Sequence, residues 1–120
     1  MSKTIAIVGS RNFNNQKYFN LALQSIQNQI KNVTHFVSGG AKGADLMGQK
    51  WAEQKGLEIK IFYPDWNKHG RAAGVIRNTD IVKNSDIIIA FPSKQGRGTQ
   101  DTIRKATKLG KELYVFTNWE

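Results

Sequence analysis

The sequence has no cysteine, so disulfides, thiolate metal sites and thiol nucleophiles are all excluded. It has no apolar run near the ~20 residues a membrane-spanning helix needs. The start, MSKTIAIVGS, has a short apolar part that reads as a strand and lacks a cleavage-type sequence, so no signal peptide is expected. Without cysteine or a leader, the expected location is cytoplasmic and no membrane partner is expected. Acidic residues are scarce: 9 Asp and Glu face 18 Lys and Arg, for a formal charge of +9. That imbalance favours phosphate-bearing or polyanionic partners. It is not a basic tail, because the cations are spread along the chain. Arg11, Lys42, Lys68, Arg71, Arg77, Lys94 and Arg97 lie in or beside glycine-rich or turn-like segments.

What is present alternates. KTIAIVG is a short apolar strand ending at Gly9. Phe19, Leu23, Ile26 and Ile30 recur at helical spacing, and THFVSG is a second strand stopped by Gly39 and Gly40. Ala44, Met47 and Trp51 form the next helical stripe, with Gly56 as its cap. LEIKIFYP alternates and stops at Pro64, and a less regular helix is expected over 72–83. DIIIAFP is a continuous β-branched run of the kind buried on both faces. Ile103, Ala106 and Leu109 mark a last helix capped by Gly110, and ELYVFT closes the chain. Five strands and four helices, without repeats or a linker, predict one α/β domain over residues 1–120. It is a three-layer, Rossmann-like fold with a mostly parallel five-stranded sheet and helices on both faces.

In such sheets ligands sit at the carboxyl ends of the strands. Those ends carry GSRNF, SGGAKGAD, DWNKHGRAAGVIRN and SKQGRGTQD. The second and fourth are glycine-spaced loops that open helices, where free N–H groups and the helix dipole favour an anion. Glycines 39, 40 and 43 are expected to let the backbone approach a ligand closely. Neither loop is a Walker A motif or a G-x-G-x-x-G fingerprint, and there is no G-x-S-x-G. His35 and His69 are isolated, and no His and carboxylate cluster has metal-ligand spacing, so no metal is expected.

Taken in order, these four segments resemble the SLOG superfamily, the Rossmann-like group containing LOG phosphoribohydrolases, DprA-type DNA-binding proteins and sensors of NAD derivatives. The resemblance covers nearly the whole chain and is strongest to the small DUF2493 branch of YspA and YpsA-related proteins. It implies a nucleotide-derived ligand, such as an NAD or ADP-ribose derivative or a cyclic nucleotide signal, with no further cofactor required. The expected contacts are Gly9, Ser10 and Arg11 at the first strand end, and Ser38, Gly39, Gly40, Lys42, Gly43 and Asp45 at the second. At the third they are Trp66, Arg77 and Asn78, and at the fourth Gly96, Arg97, Gly98 and Thr99.

The chain departs from the LOG pattern where chemistry is at stake. LOG enzymes carry P-G-G-x-G-T-x-x-E with a catalytic glutamate; here Thr102 holds that position and Gln95 replaces the first glycine. Cleavage of an N-glycosidic bond needs a carboxylate near the sugar. The candidates are Asp101, one position away and rotated by about 100° on a helix, and Asp45, with Arg77 matching the LOG arginine. Both carboxylates also suit capping of a first helical turn, and Arg11 and Arg77 could instead pair with Asp80 or Asp86. Trp66 either stacks on a base or packs its loop, and Trp51 falls on a core stripe. Three classes follow: a module that binds, and in a phage-infected bacterium sequesters, a nucleotide signal; an N-glycoside hydrolase; and a DprA-like DNA-binding protein. Weak nonspecific nucleic-acid binding is compatible with the charge, and the resemblance implies a homodimer or tetramer.

Overall fold

A computed structural model describes residues 2–120; the N-terminal Met1 of the expected domain lies outside them. The five strands are β1 (Thr4–Gly9), β2 (His35–Ser38), β3 (Glu58–Ile61), β4 (Ile87–Phe91) and β5 (Glu112–Val115). All pair in parallel, in the order β3-β2-β1-β4-β5. The chain builds outward from β1 through β2 to β3, then returns to lay β4 on the other side of β1. The order therefore reverses between β1 and β4, which leaves a crevice above their carboxyl ends.

Helices α1 (Gln16–Ser25), α2 (Gln27–Ile30) and α3 (Ala44–Gln54) connect the first three strands. They cover the sheet face formed by Ile5, Ile7, Ile87, Ile89 and Phe91. After β3 come the short α4 (Trp66–His69), a 3-10 turn over Gly70–Ala72, and α5 (Ala73–Lys83); α6 (Arg97–Lys108) joins β4 to β5. Helices α5 and α6 cover the opposite face through Ile81, Val82 and Ala106, packed on Ala6, Val8, Ile88 and Ala90. Alternate residues of one strand thus enter different cores, and β4 is buried at every position.

The fold is the expected one, with local differences. The stripe from Phe19 to Ile30 is buried but is carried by two helices, because the chain tightens at Ile26, whose N–H donates to the Leu23 carbonyl at 3.2 Å. The Ser25 hydroxyl donates to the Ala22 carbonyl at 2.6 Å, completing that turn. The stretch before α5 is ordered by Asp65, whose side chain accepts from the Lys68 N–H at 3.0 Å and starts α4. Gly56 and Gly110 sit at the expected helix ends with positive φ.

Candidate functional site

The loop after β1 is set by one aromatic residue. Phe13 is buried and stacks on Phe91 at 4.6 Å between centroids, and Trp119 meets it edge-on at 5.0 Å. With Phe13 anchored, Ser10, Arg11 and Asn12 project over the crevice at the β1–β4 switch. Ser10 N–H donates to the Phe91 carbonyl at 3.0 Å, and the Ser10 hydroxyl accepts from Asn12 N–H at 3.1 Å.

Above the crevice is a cavity of about 470 Å³. Gly9, Ser10, Arg11 and Asn12 line it from β1 and its loop, Ala41 and Asp45 from the approach to α3, and Arg77 and Asn78 from α5. Ser93, Gln95, Gly96, Gly98, Thr99 and Thr102 line it from the β4–α6 connection. Nine of the expected contact residues therefore come together: Gly9, Ser10, Arg11, Asp45, Arg77, Asn78, Gly96, Gly98 and Thr99.

Others do not line it, for a physical reason. A side chain at Gly39 would meet the Arg77 guanidinium at 2.3 Å, and one at Gly43 would meet the Ser10 carbonyl oxygen at 2.2 Å. At Gly40 it would meet the Tyr63 ring at 2.7 Å. These glycines bring parts of the protein together, so the expected close approach is to the protein's own groups. Lys42 and Arg97 are exposed, Trp66 stands on the outer surface and Ser38 is buried beneath the cavity. The first N–H of α3, at Ala44, is also taken, by the Ser10 carbonyl at 3.2 Å. No side chain caps either helix start, at Gly43 or at Gly96, but the start of α6 is more open: a side chain at Gly98 would have nothing within 4 Å.

Asp45 is the one carboxylate among the lining residues and is 5% exposed. Burial pushes its carboxyl up to about 6, against the pull of the Ala41 N–H, the Arg77 charge, the Gly39 backbone and the nearby Ser38 hydroxyl. The Ser38 hydroxyl lies close enough to favour the ionised form but without the alignment of a full hydrogen bond. Burial lowers the pKa of Arg77 and Arg11 adds to this, while Asp45 opposes it. Arg77 pairs with neither Asp80 nor Asp86. Its Nη1 donates to the Gly39 carbonyl at 2.9 Å and its Nε to the Asn78 side-chain oxygen at 3.1 Å.

Asn78 passes this order on to α6, donating to the Gly98 carbonyl and to Asp101, both at 3.2 Å. Burial would raise the Asp101 carboxyl, but Lys105 at 2.8 Å, Asn78, and Arg104 at 3.0 Å hold it below its ordinary range. Asp101 faces this network and does not line the cavity, whereas Thr102 does, with its hydroxyl donating to the Gly98 carbonyl at 3.3 Å. Asn12, Ser93 and Gln95 line the cavity without being among the expected contacts. They lie inside the strand-end motifs, but nothing in their residue type separated them from loop polarity.

Comparison with known proteins fits this geometry. Residues 3–69 match the model of the YspA, cpYpsA-related SLOG family. The Gene 61 protein of Mycobacterium phage D29 is 37% identical over 86 residues, covering 67% of this chain and 69% of that one. DNA processing protein A (DprA) from Streptococcus pneumoniae superposes with a TM-score of 0.71 at 21% identity. That match covers 96% of this chain and 50% of DprA, so this chain spans about half the DprA length. The structural-genomics target TM1055 superposes at 0.65 with 18% identity, covering 94% and 72% of the two chains. Both structural likenesses concern the fold.

Proposed function

The chain belongs to the YspA, cpYpsA-related SLOG family, and from that premise we propose that it binds a nucleotide-derived, phosphate-bearing small molecule in the cavity between the ends of β1 and β4. One observation carries the reading. Two guanidinium groups, Arg11 and Arg77, line the same cavity as the start of α6, which no side chain caps. Guanidinium groups suit phosphate through paired, charge-assisted hydrogen bonds, and an open helix start adds N–H donors and a favourable dipole. The hydroxyls of Ser10 and Thr99 and the amides of Asn12 and Gln95 supply neutral partners for a sugar or base.

The reading is of binding without cleavage. Thr102 stands at the position of the LOG glutamate, and Asp101 beside it is engaged by Lys105 and Asn78. A phage protein among the relatives supports an infected bacterium as the setting, in which the proposed role is to hold a signal nucleotide without consuming it. Asp45 favours a second reading, N-glycoside hydrolysis, because a buried carboxyl titrating near 6 has the character of a general acid.

The test is equilibration with NAD, ADP-ribose, cyclic ADP-ribose isomers and AMP, followed by mass spectrometry of the retained and free fractions. Intact ligand near one per protein, lost in Arg77→Ala, is the expected result. Free base accumulating over many turnovers, and abolished in Asp45→Asn, would move the assignment to the hydrolase. Steeply salt-dependent retention of DNA, with no small molecule retained, would move it to nucleic-acid binding.

A further inference from the structure

The cavity walls hold three charged side chains, and one of them has the wrong sign for a phosphate. Arg11 comes from the loop after β1, Arg77 from α5, and Asp45 from the first turn of α3. The connection from β4 and the start of α6 bring only uncharged groups to the lining. Lys42, three positions before Asp45, is exposed, and Asp101 is turned to Asn78 and Lys105. A phosphate held by the two guanidinium groups therefore shares its cavity with a single, almost fully buried carboxyl.

That carboxyl is fixed in the wall. Ala44 beside it is fully buried, and Gly48, about one turn on, lies so close to β1 that a side chain there would meet Ile7 at 2.7 Å. The Asp45 side chain accepts a long contact from the Ala41 N–H at 3.4 Å, with the Ser38 hydroxyl nearby from the end of β2. Its counter-charge is Arg77, acting through space, because Arg77 Nη1 and Nε donate to Gly39 and Asn78. A phosphate drawing on the same guanidinium cancels that support and adds a like charge. Both effects favour the neutral acid. Burial already pushes the carboxyl up to about 6 in the empty site, so the further rise falls near neutral pH.

We propose that Asp45 takes up a proton when an anion enters the cavity, so that the site binds a phosphate and a proton together and gives up both as pH rises. This rests on the reading of the cavity as a phosphate site. A carboxylate only accepts hydrogen bonds, whereas a protonated carboxyl also donates one, so the proton removes a repulsion and supplies a donor. By linkage, affinity is greatest below the pKa of the empty site. It falls by up to about tenfold per pH unit above that value and levels off beyond the pKa of the occupied site.

The experiment uses ADP-ribose, because both of its phosphates are esterified and keep their charge between pH 6 and pH 8. Calorimetric titration of the full chain in buffers of different ionisation enthalpy counts the protons taken up per ligand. A rise of about one pH unit in the Asp45 pKa gives about 5-fold tighter binding at pH 6 than at pH 8, with about half a proton taken up near pH 6.5. Asp45→Asn, a fixed stand-in for the neutral acid, should take up no proton, bind with a flat pH profile and exceed the native affinity at pH 8. The Asp45 carboxyl carbon, followed by NMR, should titrate higher with ADP-ribose bound. A flat native profile without uptake, or uptake that persists in Asp45→Asn, would overturn the proton coupling and leave the cavity reading standing. Failure of both ADP-ribose and inorganic sulfate, whose charge is also fixed, to bind at any pH would overturn the two together.

Discussion

The loops after β2 and β4 read almost alike: SGGAKGAD and SKQGRGTQD each interleave glycines with a cation and lead into a helix. Their structures are opposite. In the first, each of the three glycines has another part of the protein where its side chain would be, and the first helical N–H is taken by Ser10. In the second, Gly98 faces open space and Gly96 meets only the Ser93 side chain within 3 Å. The first loop is a packed joint between β1, β3 and α5. The second is the accessible wall of the cavity. Glycine serves packing in one and access in the other, and substitution separates the two.

The largest effect is expected at the joint. Gly43 has φ of +80°, and a side chain there would lie 2.2 Å from the Ser10 carbonyl oxygen and 2.8 Å from the Arg11 carbonyl carbon. Both are backbone atoms fixed by the Phe13 anchor, so neither can step aside. Left-handed strain of about 1–2 kcal/mol and overpacking of about 1–3 kcal/mol give Gly43→Ala an expected loss of about 3 kcal/mol. Urea denaturation with the slope held constant reads it. An unchanged midpoint would show that the joint is not packed as described.

A smaller effect tests the acid buried at this joint. The Asp45 carboxyl lies near 6 in the fold, against 3.8 for its ordinary value, because burial disfavours the charge. A folded pKa above the unfolded one means that the folded state holds the proton more tightly. The contribution of Asp45 to stability is then most favourable below pH 4, falls as pH rises between about 4 and 6, and stays reduced above that. At about 1.4 kcal/mol per pH unit, the reduction at pH 8 is about 2–3 kcal/mol. Asp45→Asn should therefore be more stable than the native protein at pH 8, with the two curves converging toward pH 4. Parallel curves would mean that the carboxylate is not desolvated.

These two cases show what the sequence could carry. The alternation of strands and helices, the two helix layers and the places to look follow from periodicity and from the rule that ligands meet parallel sheets at strand ends. Arg77 and Asn78 were legible as candidates because they fall in a strand-end segment beside glycines. The purpose of Gly39 was not legible: its neighbour is Arg77, 38 positions away, and no local pattern distinguishes a glycine that admits a ligand from one that admits a guanidinium. Asp101 illustrates the same limit. Its closeness in sequence to the LOG glutamate position suggested chemistry, whereas its partners Asn78 and Lys105 make it a strut between α5 and α6.

The smallest change in stability, and the sharpest contrast with Gly43, belongs to Gly98. It lies in the first turn of α6, has no positive φ, and a side chain there would have nothing within 4 Å. Alanine reduces the freedom of the unfolded chain, so Gly98→Ala should leave stability unchanged or raise it by about 0.5 kcal/mol. The fold gives this position no reason to be glycine. Gly98 lines the cavity, however, and under the proposed function an added methyl would stand in the way of a phosphate at the helix start. Binding of ADP should therefore fall about 10-fold in a variant whose denaturation curve is native or better. Loss of binding without loss of stability would establish access as the role of this glycine, whereas full binding would leave the second loop as closed to ligand as the first.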